Sequence, residues 1–122
     1  MSNMNLITSD IKKLIERQPI AISTVMKEGT PNVIGVAFVK VEDNQLIVTD
    51  NYMNQTIIDV ENNPRVAIVV WNKDLEGYKL LGKATYFNSG EWLDYVKNIP
   101  ENKDMPAKGA LVISIDKVIQ TA

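Results

Sequence analysis

The stretch IAISTVMKEGTPNVIGVAFVKVEDNQLIVT, Ile20 to Thr49, decides the fold class. Ile20 to Lys27 is rich in β-branched residues and reads as a strand. Lys27-Glu28-Gly29-Thr30 reads as a turn, with Gly29 free to take a positive φ. Asn32 to Val41 reads as a second strand, and its nearly unbroken apolar run, Val33 to Val39, predicts cover on both faces. Glu42-Asp43-Asn44 then turns the chain into a third strand, Gln45 to Thr49. Strand, tight turn, strand, tight turn, strand predicts an antiparallel meander.

Toward the N-terminus, Thr8-Ser9-Asp10 opens a helix of about Ser9 to Arg17, with Ile11, Leu14 and Ile15 at helical spacing and Pro19 closing it. On the other side, Asp50 to Asn54 is a polar break. Asn54 is placed to cap a short helix from Gln55 to Glu61, which Asn62-Asn63-Pro64 stops. Arg65 to Trp71 and Tyr78 to Phe87 read as strands flanking a hairpin loop, with Gly82 marking a bulge or a close neighbour. Asn88-Ser89-Gly90-Glu91 has the form of a capping box for a third helix carrying Trp92, Tyr95, Val96 and Ile99. Pro100 to Ala107 is a polar loop, Gly109 to Ile115 a closing strand, and Val118 to Gln120 extends or follows it. About six antiparallel strands and three short helices predict a mainly β, closed or partly closed barrel, and 122 residues suit one domain over residues 1–122.

Composition narrows the chemistry. The chain has no histidine and no cysteine. A Ser-His-Asp triad, a thiolate nucleophile, an Fe–S site and a zinc site of the usual kind are therefore excluded, and redox work would fall to a bound organic cofactor. With 13 basic against 15 acidic residues and no dense cationic face, a nucleic-acid partner is not expected. No apolar run approaches the ~18 residues of a membrane span, and Met1 to Ile7 lacks the pattern of a secretion signal, so a cytoplasmic protein without a membrane partner is expected. Neither Gly-x-Gly-x-x-Gly nor Gly-x-x-x-x-Gly-Lys occurs.

Several pieces in order resemble the FMN-binding split-barrel family, the relatives of pyridoxamine 5'-phosphate oxidase. They are Ala21 to Val25, Glu28 to Val33, Gln45 to Thr49, Glu61 to Ile68 with its Asn63-Pro64-Arg65-Val66-Ala67, Lys79 to Thr85, and Lys108 to Ile113. Length and tail are most similar to the small dimeric FMN-binding proteins. The resemblance implies a split β-barrel, a homodimer and FMN at the dimer interface. It places the isoalloxazine against the second strand (Val33, Ile34, Gly35, Val36) and the phosphate at the break before the second helix (Thr49, Asp50, Met53, Asn54, Gln55, Thr56), with Lys108 nearby. Unpaired N–H groups at a helix start suit an anion. Relatives often carry Lys or Arg at that start, where this chain has Asn54, Gln55 and Thr56, with Asp50 beside them. Lys79, Lys83 or Lys108, from either subunit, are the available cations. The oxidase itself is not expected, because the chain's only arginines are Arg17 and Arg65 and its closing segment, Ile115 to Ala122, has none.

The same residues carry plainer readings. Val33, Ile34, Val36 and Phe38 suit core or interface; Gln55 and Thr56 suit first-turn capping; Arg65 suits an ion pair with Glu61 or another carboxylate; Trp71 and Trp92 suit packing; Tyr52 suits covering a ring. The function expected is an FMN-dependent oxidoreductase or electron carrier with an unidentified small substrate or redox partner. The alternatives are a non-enzymatic flavin-binding or sensor module, and a deazaflavin-dependent reductase on the same fold. Homodimerisation also follows from apolar strands that three short helices do not cover.

Overall fold

The computed structural model describes residues 5–121. Three α-helices and seven strands follow in the order α1 (Ser9–Arg17), β1 (Ile20–Val25), β2 (Pro31–Val36), β3 (Lys40–Glu42), β4 (Gln45–Asp50), α2 (Gln55–Asn62), β5 (Arg65–Trp71), β6 (Gly77–Phe87), α3 (Glu91–Lys97) and β7 (Gly109–Gln120). The strands form one antiparallel sheet in the order β2-β1-β5-β6-β7-β4-β3.

Only Ala37, Phe38 and Val39 separate β2 from β3, yet these strands occupy opposite edges of the sheet. A flat seven-stranded sheet would put its edges nearly 30 Å apart at ~4.8 Å per strand. Four residue steps span at most ~14 Å. The sheet must therefore curl until its edges nearly meet, which makes it a split barrel. Phe38 takes φ 59 at this crossing, and Val39 is fully buried.

Alternation along each strand builds two clusters. Ile20 and Ile22 of β1, Val66, Ile68 and Val70 of β5, Leu80 of β6, Leu111 and Ile113 of β7, and Leu46 and Val48 of β4 point inward. Ile7, Ile11 and Ile15 from α1 and the turn before it join this core. The Thr8 side chain starts α1 by accepting the Ile11 N–H. On the outside of β4 and β7, Ile47, Ala110 and Val112 are covered by Val96 and Ile99, with Trp92, Leu93 and Tyr95 at the margin. Each fully buried Ile or Leu contributes about 1.5–3 kcal/mol.

The structure corrects several sequence expectations. Six strands become seven, because Asn32 to Val41 is two strands and not one. The expected meander is broken as well: β1 pairs with β2 and β3 with β4, but β2 and β3 do not pair. The physical reason is the crossing at Phe38, whose left-handed backbone ends one ladder before the other begins. Cover on both faces of Val33 to Val39 is not found within the described residues; Val33 is 67% exposed. The capping box at Asn88 is absent. Gly90, with φ 86, is the N-cap of α3 and no side chain caps it. Asn54 is the N-cap of α2 as expected, but without a capping side-chain bond. Val118 to Gln120 continue β7, and the ladder with β6 shifts register at Leu81/Gly82, where a Cβ on Gly82 would lie 2.3 Å from the Ser114 carbonyl oxygen.

Candidate functional site

Among the described residues no helix covers the outward face of β2-β1-β5. Val33 and Gly35 point outward beside their register partners Ser23 and Ala21, and Ala21 in turn lies opposite Val69. Small side chains at Ala21 and Ser23 and none at Gly35 keep this surface shallow. A Cβ on Gly35 would meet nothing within 4 Å. A groove of about 490 Å³ opens here, floored by Ala21 and Gly35, with Trp71 and Lys73 on its lining. Trp71 is 40% exposed, and its carbonyl oxygen accepts from the Gln18 side-chain amide, which ties the end of β5 to the end of α1. Further along the sheet a second groove of about 380 Å³ runs over Ser23, Val25, Ala67 and Leu81, and Arg65 pairs with Asp116 at 3.1 Å on its lining.

At the amino end of α2 the chain builds a polar corner. Asp50, only 1% exposed at the end of β4, accepts the Met53 N–H at 2.8 Å and the Tyr86 hydroxyl at 2.6 Å. Lys108 stands over it: its Nζ is 4.0 Å from Asp50 Oδ1 and donates to the Met53 carbonyl at 3.2 Å. Burial first, and then the bond to Asp50, push the Tyr86 phenol up to about 12. Gly109 is needed beside it, because a Cβ there would lie 2.2 Å from the Tyr86 oxygen.

A second network lies under the first turn of α2. Asp59 is fully buried, and its two oxygens accept the Thr24 hydroxyl and the Gln55 side-chain amide, both at 2.6 Å. The Asn32 amide donates to Thr24 at 3.2 Å and to Thr56 at 3.3 Å. This chain of bonds pins β2, and with it the open face of Val33 and Gly35, to the start of α2.

The structure ties the two groups of residues singled out in the sequence through Asn32, which bonds Thr56 from the face of β2 opposite Val33 and Gly35, and it gives several of them work within the chain. Ile34 and Val36 are partly buried against the barrel core, whereas Val33 and Gly35 face out. Thr49 accepts from the Asn102 amide at 2.7 Å. Met53 packs on the core edge, Asn54 and Gln55 are exposed, and Thr56 is buried. Tyr52 is 75% exposed in the same loop. Arg65 meets Asp116, a carboxylate other than Glu61. Sequence reasoning passed over Thr24, Asn32, Asp59 and Tyr86. A polar residue set inside an apolar run, as Thr24 is in Ile20–Val25 and Asp59 is after Ile57-Ile58, was the signal available.

A flavin can be tested against the open face and against the polar corner in turn. Its planar ring fits the shallow Gly35–Ala21 floor. A phosphate dianion does not fit the polar corner: Lys108 is matched by Asp50, the Gln55 amide is given to Asp59, the Asn32 amide is given to Thr24 and Thr56, and neither arginine lies there. Among the described residues no group of three His, Cys, Asp or Glu side chains could hold a metal ion, and no helix is long and apolar enough to cross a membrane.

Comparison with known proteins agrees with this architecture. An "Uncharacterized protein MJ0282" of Methanocaldococcus jannaschii is 33% identical over 118 residues, covering 92% of this chain and 78% of that protein. HupZ from Group A Streptococcus superposes with a TM-score of 0.84 at 26% identity, covering 93% of this chain and 93% of the other. An FMN-binding protein of Syntrophomonas wolfei shares the fold with a TM-score of 0.75 at 18% identity, covering 91% and 83% of the two chains. The family model described as pyridoxamine 5'-phosphate oxidase matches residues 7–122. With nearly its whole length matched, this chain belongs to the pyridoxamine 5'-phosphate oxidase family.

Proposed function

We propose that this chain is a cytoplasmic flavin-binding redox protein that works as a homodimer, FMN being the flavin named for a protein of the same fold. The observation that carries the reading is the open face of β2. Val33 is exposed, Gly35 leaves free space above the backbone, and a groove of about 490 Å³ runs across Gly35 and Ala21 beside Trp71. A flat, mostly apolar ring buries well on such a floor, where backbone groups and small side chains let it approach closely. A bound isoalloxazine supplies hydride or single-electron transfer, which side chains of a protein without His or Cys do not.

The chain's own part is to bind, orient and exclude water. The Asn32–Thr24–Asp59–Gln55 bonds fix β2 relative to α2 and so hold the floor rigid. The outward valines of β1, β2 and β5 call for cover, and a second copy of the same face supplies it while shielding the ring. The test is direct. Purified protein is denatured and the released chromophore identified by absorbance and mass, with light scattering giving the oligomer. A yellow dimer releasing a flavin is expected. A colourless protein that takes up neither FMN nor riboflavin at ~100 μM, well above the Kd of a resident cofactor, would sink the proposal. Reduction of the loaded protein by a nicotinamide nucleotide distinguishes an oxidoreductase from a carrier or sensor.

A further inference from the structure

We infer that the polar corner at the start of α2 selects against a doubly charged phosphate tail, so that this flavin site takes a flavin with an uncharged tail, of the riboflavin kind, at least as well as FMN, and that Asp50 is the residue that sets this preference. The inference rests on the flavin reading above and concerns the other end of the ligand.

The charge balance carries it. A phosphate monoester brings about −1.5 to −2 at neutral pH. Lys108 offers one positive charge, and Asp50 lies 4.0 Å away with one negative charge. Asp50 is held there by two donors, the Met53 N–H and the Tyr86 hydroxyl. The Lys108 ammonium is further committed to the Met53 carbonyl. Asp59, a second carboxylate, is buried within α2 and takes the amide of Gln55, a side chain otherwise placed to meet an anion. What remains is the backbone of an eight-residue helix, worth at most about half a unit charge at its amino end. Backbone N–H groups of the first turn suit hydroxyl groups, which need hydrogen bonds and no counter-charge. A dianion at the same place meets a site with no net positive charge of its own.

The experiment is a pair of titrations, riboflavin and FMN, followed by flavin fluorescence, on the wild-type protein, Asp50→Asn and Asn54→Arg. Asp50→Asn keeps an oxygen for the Met53 N–H and a polar group for Tyr86. Asn54→Arg adds a cation at an exposed side chain and carries the test if the buried substitution fails to fold. The wild type is expected to bind riboflavin as tightly as FMN or more so. Either substitution is expected to tighten FMN by about 10-fold and to leave riboflavin within about 2-fold, since one unit charge is gained near the phosphate alone. A wild type that binds both flavins but prefers FMN by about 10-fold or more would overturn the inference and leave the flavin reading standing, with a partner-subunit cation the natural source of the charge. FMN affinity that rises in Asn54→Arg but not in a folded Asp50→Asn would overturn the role of Asp50. Failure of the wild type to bind either flavin removes both readings together.

Discussion

Tyr86 and Asp50 show how one hydrogen bond links stability to pH. The phenol is neutral in the folded protein well past its ordinary range, up to about 12, because it is partly buried and donates a hydrogen bond to a carboxylate. In the unfolded chain the same group ionises near 10. The folded state therefore holds a proton that the unfolded state has lost between these two values. The contribution is complete below about 10 and disappears as pH rises through about 12. Urea midpoints measured from pH 9 upward should fall over that window, and Tyr86→Phe should flatten the fall. The same substitution leaves the buried Asp50 short of a donor and should cost about 1–3 kcal/mol at neutral pH, read from the same denaturation curves. Loss of a buried acceptor can also be read at Asp59: Asp59→Ala strands the buried Thr24 hydroxyl and should cost about 1–3 kcal/mol, with Asp59→Asn less damaging because one acceptor survives.

At the scale of elements, local chemistry was legible and pairing was not. The ends of α1 could be read because Thr8 is a good N-cap and Pro19 a good stop. The bulge at Gly82 could be read because a glycine inside a strand calls for a close neighbour, here the Ser114 carbonyl. The split of Asn32 to Val41 could not. Val36, Ala37, Phe38 and Val39 are as apolar as the residues before them, and nothing in periodicity reveals that Phe38 adopts φ 59. A left-handed bulky residue is imposed by the tertiary route from one edge to the other and not by local preference. For the candidate site, the helix start and the open strand could be located from the chain, whereas the donors that Asp50 and Asp59 consume appear only once distant strands are brought together. Gly82→Ala should test how firmly the bulge is held. The added carbon meets backbone on β7, so a loss of about 1–3 kcal/mol is expected in thermal or urea unfolding.

For the molecule as a whole, one side of the sheet is closed by α3 and the other is left open. Ile47, Ala110 and Val112 lie beneath Val96 and Ile99, while Val33, Val25 and Val69 have no helix over them. The proposed dimer is expected to use this second side. Val69→Lys places a charge there without touching Val66, Ile68 or Val70, which face the opposite way. Light scattering should report half the wild-type mass for this variant, and a wild type already monomeric at micromolar concentration would remove the premise. The strand order has a further consequence for how the chain is made. β7 lies between β6 and β4 in the sheet but follows every other strand in the sequence. A ribosome thus releases six strands before the one that joins them, and until then β3 and β4 have no ladder to the rest of the sheet. Vectorial synthesis can prepare hairpins, but assembly of the barrel waits for residues 109–120, and nascent chains arrested ahead of them should stay sensitive to protease.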